Sequence, residues 1–510
     1  MKKYSDLEYL RLSKWNRFVY TIVCFFCGIP GAIVNFFKKI GNACVDIFKK
    51  IVAELVDIGL TFKEGDKKTK ISFFVMGYGN LARGQILRGL LFLLFELVFF
   101  GYMILSGFGW MSQLGTLGTQ GPVKSFDPIL DVPVTTYHDN SFKILLYGVL
   151  TIFFIVGFII TWRINVKQNK IAEQILRSGK PLKSGKQDLR SLVDDKFHAT
   201  LLSLPLFGIL VFTVMPIVFM ILVAFTNYDS LHNGYTNELF TWVGMTNFGT
   251  MLNWGAGNAG YSAAFGEILT WTLIWAFFAT FTNYFLGMGV AMMINKKGIR
   301  LKKLWRSCLV LTVAVPQFIS LMYVSKMFAP NGIVNGFLLN MGWIDQPLPF
   351  WTNADWAKVT VIILNIWIGI PHLMLMATGI LMNIPADLYE SAKIDGAGPW
   401  KQFSKITLPY MLFITGPYLL TSFTGNMNNF NVIYLLSGGG PAMTDISGVL
   451  GSPGQTDLLV TWLFKMVTAS EPAAYNLASV LGILVFIVVA GISLIVYNVM
   501  PSIKNEEDFQ

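Results

Sequence analysis

Long apolar runs alternate with short polar bridges along most of this chain, and the length of the runs makes the first prediction. A helix needs about 20 apolar residues to cross the hydrocarbon of a bilayer. Eight stretches reach that length, near 86–106, 142–162, 200–226, 264–294, 307–329, 357–382, 410–436 and 473–500. No run shows the strict alternation of barrel strands, so helices are the expected spanners. The predicted fold class is all-α, a polytopic membrane protein with eight transmembrane helices. Residues 1–85 read differently. The run from Phe18 to Phe37 is broken by Gly28, Pro30 and Gly31, and Asp46, Lys49, Lys50, Glu54 and Asp57 then interrupt the apolar pattern. Both flanks are basic, which requires an even number of crossings. Zero is expected, with amphipathic helices lying on the membrane surface, and a helical hairpin is the alternative. The predicted division is an extension at 1–85, two spans and a basic loop at 86–199, a six-helix core at 200–500 and a tail at 501–510.

Composition agrees with lipid as the main solvent, since 54% of residues are hydrophobic and 13% charged. A net charge of +10 raises the question of nucleic acid, but no basic stripe with interleaved aromatics exists. The cations sit between the spans instead. Arg163, Lys167, Lys170, Arg177, Lys180, Lys183, Lys186, Arg190 and Lys196 fill 163–199. Lys296, Lys297, Arg300, Lys302, Lys303 and Arg306 fill 295–306, whereas 227–263 and 330–356 have none. Positive loops stay in the cytoplasm, so both termini are expected inside, in the cell membrane. Cys24, Cys27, Cys44 and Cys308 read as four small buried side chains. No cleavable signal peptide is expected, because residues 1–17 are polar and no small-residue cleavage site follows the first apolar run. His138, His198, His232 and His372 are scattered, which argues against a membrane enzyme or a metal site. The nearest approach to a phosphate-binding loop, Gly179 to Lys186, has the wrong glycine spacing and Gln187 where Ser or Thr is needed.

The bridge 383–409 differs from the others. Pro385 and Asp387 can start a helix, Gly396 and Gly398 can stop it, and Pro399 can open a second turn ending before Pro409. Two short helices with a Gly hinge are expected there. Glu390-Ser391-Ala392, then Gly396, then Ile406, Leu408 and Pro409 resemble the E-A-A-x3-G-x9-I-x-L-P loop of ABC importer permeases, with Ser391 as the departure. From about Phe225-Thr226-Asn227-Tyr228 onward the text is similar to the maltose and maltodextrin branch. Asp387-Leu388-Tyr389-Glu390, Asp395-Gly396-Ala397-Gly398-Pro399, Asn428-Asn429-Phe430, Gly439-Gly440-Pro441 and Thr456-Asp457-Leu458-Leu459 carry that likeness.

The resemblance implies the ABC type I importer permease fold, with Glu390, Ser391, Ala392, Gly396, Ile406, Leu408 and Pro409 coupling to an ATPase. It implies ATP and Mg on that partner and no cofactor, metal or catalytic residue in this chain. The expected partners are a second permease, two ATP-binding subunits and an extracellular lipoprotein solute-binding protein. The cargo would be an oligosaccharide such as maltodextrin. The short 227–263 connection suggests a Gram-positive type.

Polar residues in the flanking spans fit a sugar path. Asn365, Gly369 and His372 share one helical face, as do Ser422, Asn426 and Asn429. Counted from the cytoplasmic ends, His372 and Ser422 lie about 16 and about 18 Å deep, and Asn365 and Asn429 about 27 and about 28 Å. Such amides also serve as interhelical glue. The corresponding positions of the maltose-type permease contribute to its sugar site, although aromatics stand there in place of His372 and Gly425. Trp367 and Phe430 could compensate for the lost stacking. Glu96 is read as central in its span, with Glu267 and Lys326 near span ends. A proton- or sodium-driven transporter, or a permease for another neutral glycan or polyol, are the competing readings.

Overall fold

The computed structural model describes residues 38, 41–43, 45–127, 132–252, 259–296 and 298–499. The Phe18–Phe37 run, Cys24, Cys27, Cys44 and the 501–510 tail lie outside these residues. The chain divides into two compact units, Met1–Gly244 and Met245–Gln510. Among the described residues, seven helices are long and apolar enough to span a membrane, and one further helix pair is bent by 90°. Eight crossings result if that pair counts as one.

The first unit contains α1 (45–64), α2 (Ile86–Gln113), α3 (Ser141–Arg177) and α4 (Phe197–Val223). A small hairpin, β1 (Val123–Asp127) and β2 (Val132–Thr136), joins α2 to α3. Asn140 caps α3 by accepting the Lys143 N–H. At 37 residues α3 is about 55 Å long, well beyond a hydrocarbon core of about 30 Å. Its apolar part ends at Trp162, and Arg163, Lys167, Lys170 and Arg177 make the rest of it basic.

Helices α2 and α3 run antiparallel, with Phe99 stacked on Phe158 at 3.9 Å and the Arg88 guanidinium donating to Gln168 at 2.6 Å. That register puts Glu96 near the level of Trp162. Glu96 is buried and its carboxylate accepts the Met76 N–H at 2.8 Å. It closes a backbone turn of residues 72–77, so its role is local and structural.

The second unit contains α5 (Ala259–Asn295), α6 (Lys302–Ala314), α7 (Gln317–Met327), α8 (Ala354–Leu381), α9 (Ala386–Ile394), α10 (Pro399–Met427), α11 (Phe430–Leu436), α12 (Leu459–Thr468) and α13 (Tyr475–Val499). The 307–329 span is realised as α6 and α7, broken at Val315-Pro316, where proline and the residue before it leave helical geometry. Cys308 on α6 is exposed and free, which corrects its expected burial. Glu267 is exposed on α5, and Lys326 lies in the last turn of α7, as expected for span ends.

Two apolar layers organise this unit. One joins Trp271, Trp275 and Ala279 of α5 to Val361 and Leu364 of α8 and Val432, Ile433 and Leu436 of α11. The other joins Met288, Ala291 and Ile294 of α5 to Met374 and Ala377 of α8 and Met411 of α10. Between them, α5 and α8 touch through reciprocal notches. A Cβ at Gly369 would lie 2.5 Å from the Asn283 amide, and one at Gly287 would lie 2.7 Å from Leu373. Small residues let helix backbones approach this closely in lipid.

Candidate functional site

The bridge between α8 and α10 is built to stand out from the membrane. Helix α9 ends with Gly396 at φ +72°, where the Ala397 N–H donates to the Ala392 carbonyl at 2.8 Å and the Gly396 N–H to Lys393 at 3.0 Å. Glycine favours that left-handed closure, because a Cβ would crowd the backbone. Glu390, Ser391 and Gly396 are exposed and Ala392 is half-buried. Nearby Ile394 is 87% exposed and Trp400 77%, a large apolar pair left uncovered in a polar loop. The base of the loop is fixed. Tyr389 and Thr407 hydroxyls meet at 2.9 Å, Ile384 is buried, and Leu408 packs on the Met288–Met374–Met411 layer. Ile406 is half-buried and Pro409 exposed. The seven sequence-nominated residues therefore split into an outward group and an anchoring group.

One expectation fails here. No second short helix stops before Pro409; Pro399–Met427 is continuous through a π turn at Phe403–Thr407. The cause is local. Proline has no N–H to donate, and the widened turn lets the preceding Leu408 N–H reach the Phe403 carbonyl instead. The same device precedes Met215-Pro216 in α4, where the Met215 N–H reaches Leu210.

The intramembrane polar residues sit between the two apolar layers. Asn426 donates to the Thr280 hydroxyl at 3.0 Å, Asn429 donates to the Asn426 side-chain oxygen at 3.2 Å, and the Trp275 indole donates to the Asn426 carbonyl at 3.1 Å. Tyr284 and Thr415 hydroxyls meet at 2.8 Å. Asn365 is buried and Gly369 half-buried against Asn283, and Ser422 is half-buried. Two buried polar atoms, Oδ1 of Asn283 and Nδ2 of Asn365, have no partner, although buried amides ordinarily find one.

The predicted faces are revised in two places. His372 is exposed, whereas Asn365, seven residues before it on α8, is buried. Asn429 lies beyond the end of α10, which closes at Met427, and caps α11 by accepting the Val432 N–H at 3.3 Å. The Asn428-Asn429 pair favours a cap over continued helix, so the face drawn through 422–429 breaks there. Thr280 and Asn283 were missed, since single polar residues in an apolar run carry no periodic signal. Of the two aromatics considered, Trp367 is exposed and Phe430 packs against Tyr434 and Phe464 at 4.8 and 4.9 Å.

A third feature lies in the connection between α11 and α12. Asp457 is fully buried; it pairs with Lys465 at 2.7 Å and accepts the Gly454 N–H at 2.7 Å and the Thr461 hydroxyl at 2.8 Å. Burial pushes its carboxyl up, against the pull of Lys465, Thr461 and Gly454. A Cβ at Gly439, whose φ is +83°, would strike this carboxylate.

Residues 283–504 match the family described as "Binding-protein-dependent transport system inner membrane component". The chain is 32% identical to the maltodextrin transport system permease protein MdxF of Bacillus subtilis, over 88% of this chain and 98% of that protein. It is 31% identical to the galactooligosaccharides transport system permease protein GanP of the same organism, over 85% of this chain and 97% of that one. Among solved structures, a bacterial ABC transporter involved in the import of the acidic polysaccharide alginate has a chain that superposes with a TM-score of 0.50. That match covers 62% of this chain and 99% of the other at 21% identity, a likeness of fold.

Proposed function

This chain belongs to the family of binding-protein-dependent transport system inner membrane components, and on that premise we propose that it is a permease subunit of an ATP-driven importer for a neutral oligosaccharide. Relatives of nearly equal identity and coverage are named for maltodextrin and for galactooligosaccharides, so the common class is a neutral glycan chain. Maltodextrin is the cargo we favour. The observation that carries this reading is the uncharged layer of Thr280, Asn365, Ser422, Asn426 and Asn429 between two apolar layers. Amides and hydroxyls exchange hydrogen bonds with sugar hydroxyls, while an anionic cargo would need a cation that this layer lacks.

ATP is hydrolysed on two partner subunits, one of which grips Glu390, Ser391, Ala392, Ile394 and Trp400 at the exposed face of the 386–400 loop. Gly396 shapes that face, and Ile406, Leu408 and Pro409 carry its motion into α10. A sister permease completes the path, and a lipoprotein solute-binding protein delivers sugar from outside. The basic bridges and both termini face the cytoplasm, and the short 227–263 connection fits a Gram-positive cell.

The test is uptake of labelled malto- and galacto-oligosaccharides into proteoliposomes holding the full complex and enclosed ATP. Uptake that requires ATP and the binding protein is expected. Uptake that follows a proton or sodium gradient without ATP would overturn the reading in favour of an ion-coupled transporter.

A further inference from the structure

Helix α1, expected at the membrane surface, packs along the basic part of α3. Its contacts with the basic part of α3 follow one another in the same direction along both helices. Glu54 pairs with Arg163 at 2.5 Å and Lys167 at 2.6 Å, and Asp57 pairs with Arg163 and Lys170 at 2.5 Å. Further along, the Glu64 carbonyl accepts from Arg177 at 3.5 Å. Glu54 to Glu64 covers about 15 Å of helix and Arg163 to Arg177 about 21 Å. Two helices that stay in contact over such lengths run side by side. A helix crossing α3 steeply would touch it at one level only.

The geometry points to a fixed, upright α1 whose first half is inserted in lipid. Arg163 marks the membrane boundary on α3, directly after Trp162. Glu54 sits at that level, so Phe48 stands about 9 Å further toward the hydrocarbon. Ile47, Phe48, Ile51, Val52 and Leu55 of α1 are all exposed, Phe48 at 68%, and Phe48, Val52 and Leu55 lie on the side away from α3. Acyl chains are the occupant that fits. Lys49 and Lys50 are long enough to return their charges to the headgroups. The carboxylates of Glu54 and Asp57 take the place that lipid phosphates would otherwise hold beside Arg163, Lys167 and Lys170.

The test uses the complete importer in nanodiscs, with Cys24, Cys27, Cys44 and Cys308 replaced by Ser and a single environment-sensitive fluorophore at F48C, L55C or L60C. Positions 48 and 60 are about 18 Å apart along the helix, more than half of the hydrocarbon thickness. Quenching by doxyl lipid should fall in the order 48, 55, 60, roughly threefold from first to last, with iodide quenching rising in the opposite order. Adding Glu54→Gln and Asp57→Asn should flatten both gradients. Equal lipid quenching at the three sites would mean a flat helix. Protection from both quenchers would mean a protein partner, and an unchanged gradient in the double variant would mean that the ion pairs do not set the tilt. Each of these results overturns the proposal.

Discussion

At the scale of single residues, the glycines and amides of the second unit make the sharpest predictions. Gly369→Ala would place a methyl 2.5 Å from the Asn283 amide, so α5 and α8 must part or Asn283 must turn away. A loss of about 1–3 kcal/mol is expected, read as a lower Tm of the purified complex. An unchanged Tm would mean that this contact gives way freely. Asn426→Leu removes the donor to Thr280 and the acceptor for Asn429. Uptake should drop while the ATPase subunits still co-purify; unaltered uptake would remove this residue from the sugar path. The spacing of Asn365 and Gly369 on one helix, and of Ser422 and Asn426 on another, was legible. Their partners were not. Nothing in the one-dimensional pattern says that Asn283 faces Gly369, or that Asn429 ends one helix and begins another.

Elements were read best where the apolar run was long, and worst where proline decided the geometry. The pattern located α8 and α13 within a few residues, yet it stopped a helix before Pro409 and ran one straight through Pro316. The difference is the turn before each proline. A π turn rescues the orphaned carbonyls ahead of Pro409, whereas Pro316 leaves a bend of 90°. Deleting one residue within 403–407 should return that turn to α geometry and press the Pro409 ring against the carbonyl that the wide turn spares. ATP hydrolysis should then proceed without uptake; coupled transport in the deletion would show that the wide turn is idle. The α11–α12 connection depends on charge. Asp457→Ala would strand the Lys465 ammonium in a dry site, and removing one partner of a buried pair costs about 3–5 kcal/mol. The connection should become protease-sensitive; continued resistance would mean that Lys465 finds water or another acceptor. Lys465 stands eight residues beyond Asp457, too far for a pattern of local spacing to pair them.

At the scale of the whole molecule, the unit holding residues 45–85 responds to acid. Hydrogen bonds from Lys170 first and Arg163 second hold the Asp57 carboxyl below its usual range, and Lys167 and Arg163 do the same for Glu54. A carboxylate depressed in the folded state contributes its stability above the unfolded value, near pH 4, and loses it as the pH falls through the depressed value. The fluorophore at position 55 should therefore hold a steady signal from pH 7 to about pH 4 and change only below that. A transition near pH 6 would assign it to another group. The notches between α5 and α8 matter at this scale too. Proline within a membrane helix is commonly a joint, and Pro371 lies inside α8, which runs on through it. Here the contacts at Gly369 and Leu373 grip the helix on both sides of it. That joint is splinted, and the two helices form one stiff beam. A push delivered at the 386–400 loop must then reach the far end of the beam nearly undiminished, and any slack has to lie outside the membrane, in the short stretch around Gly396.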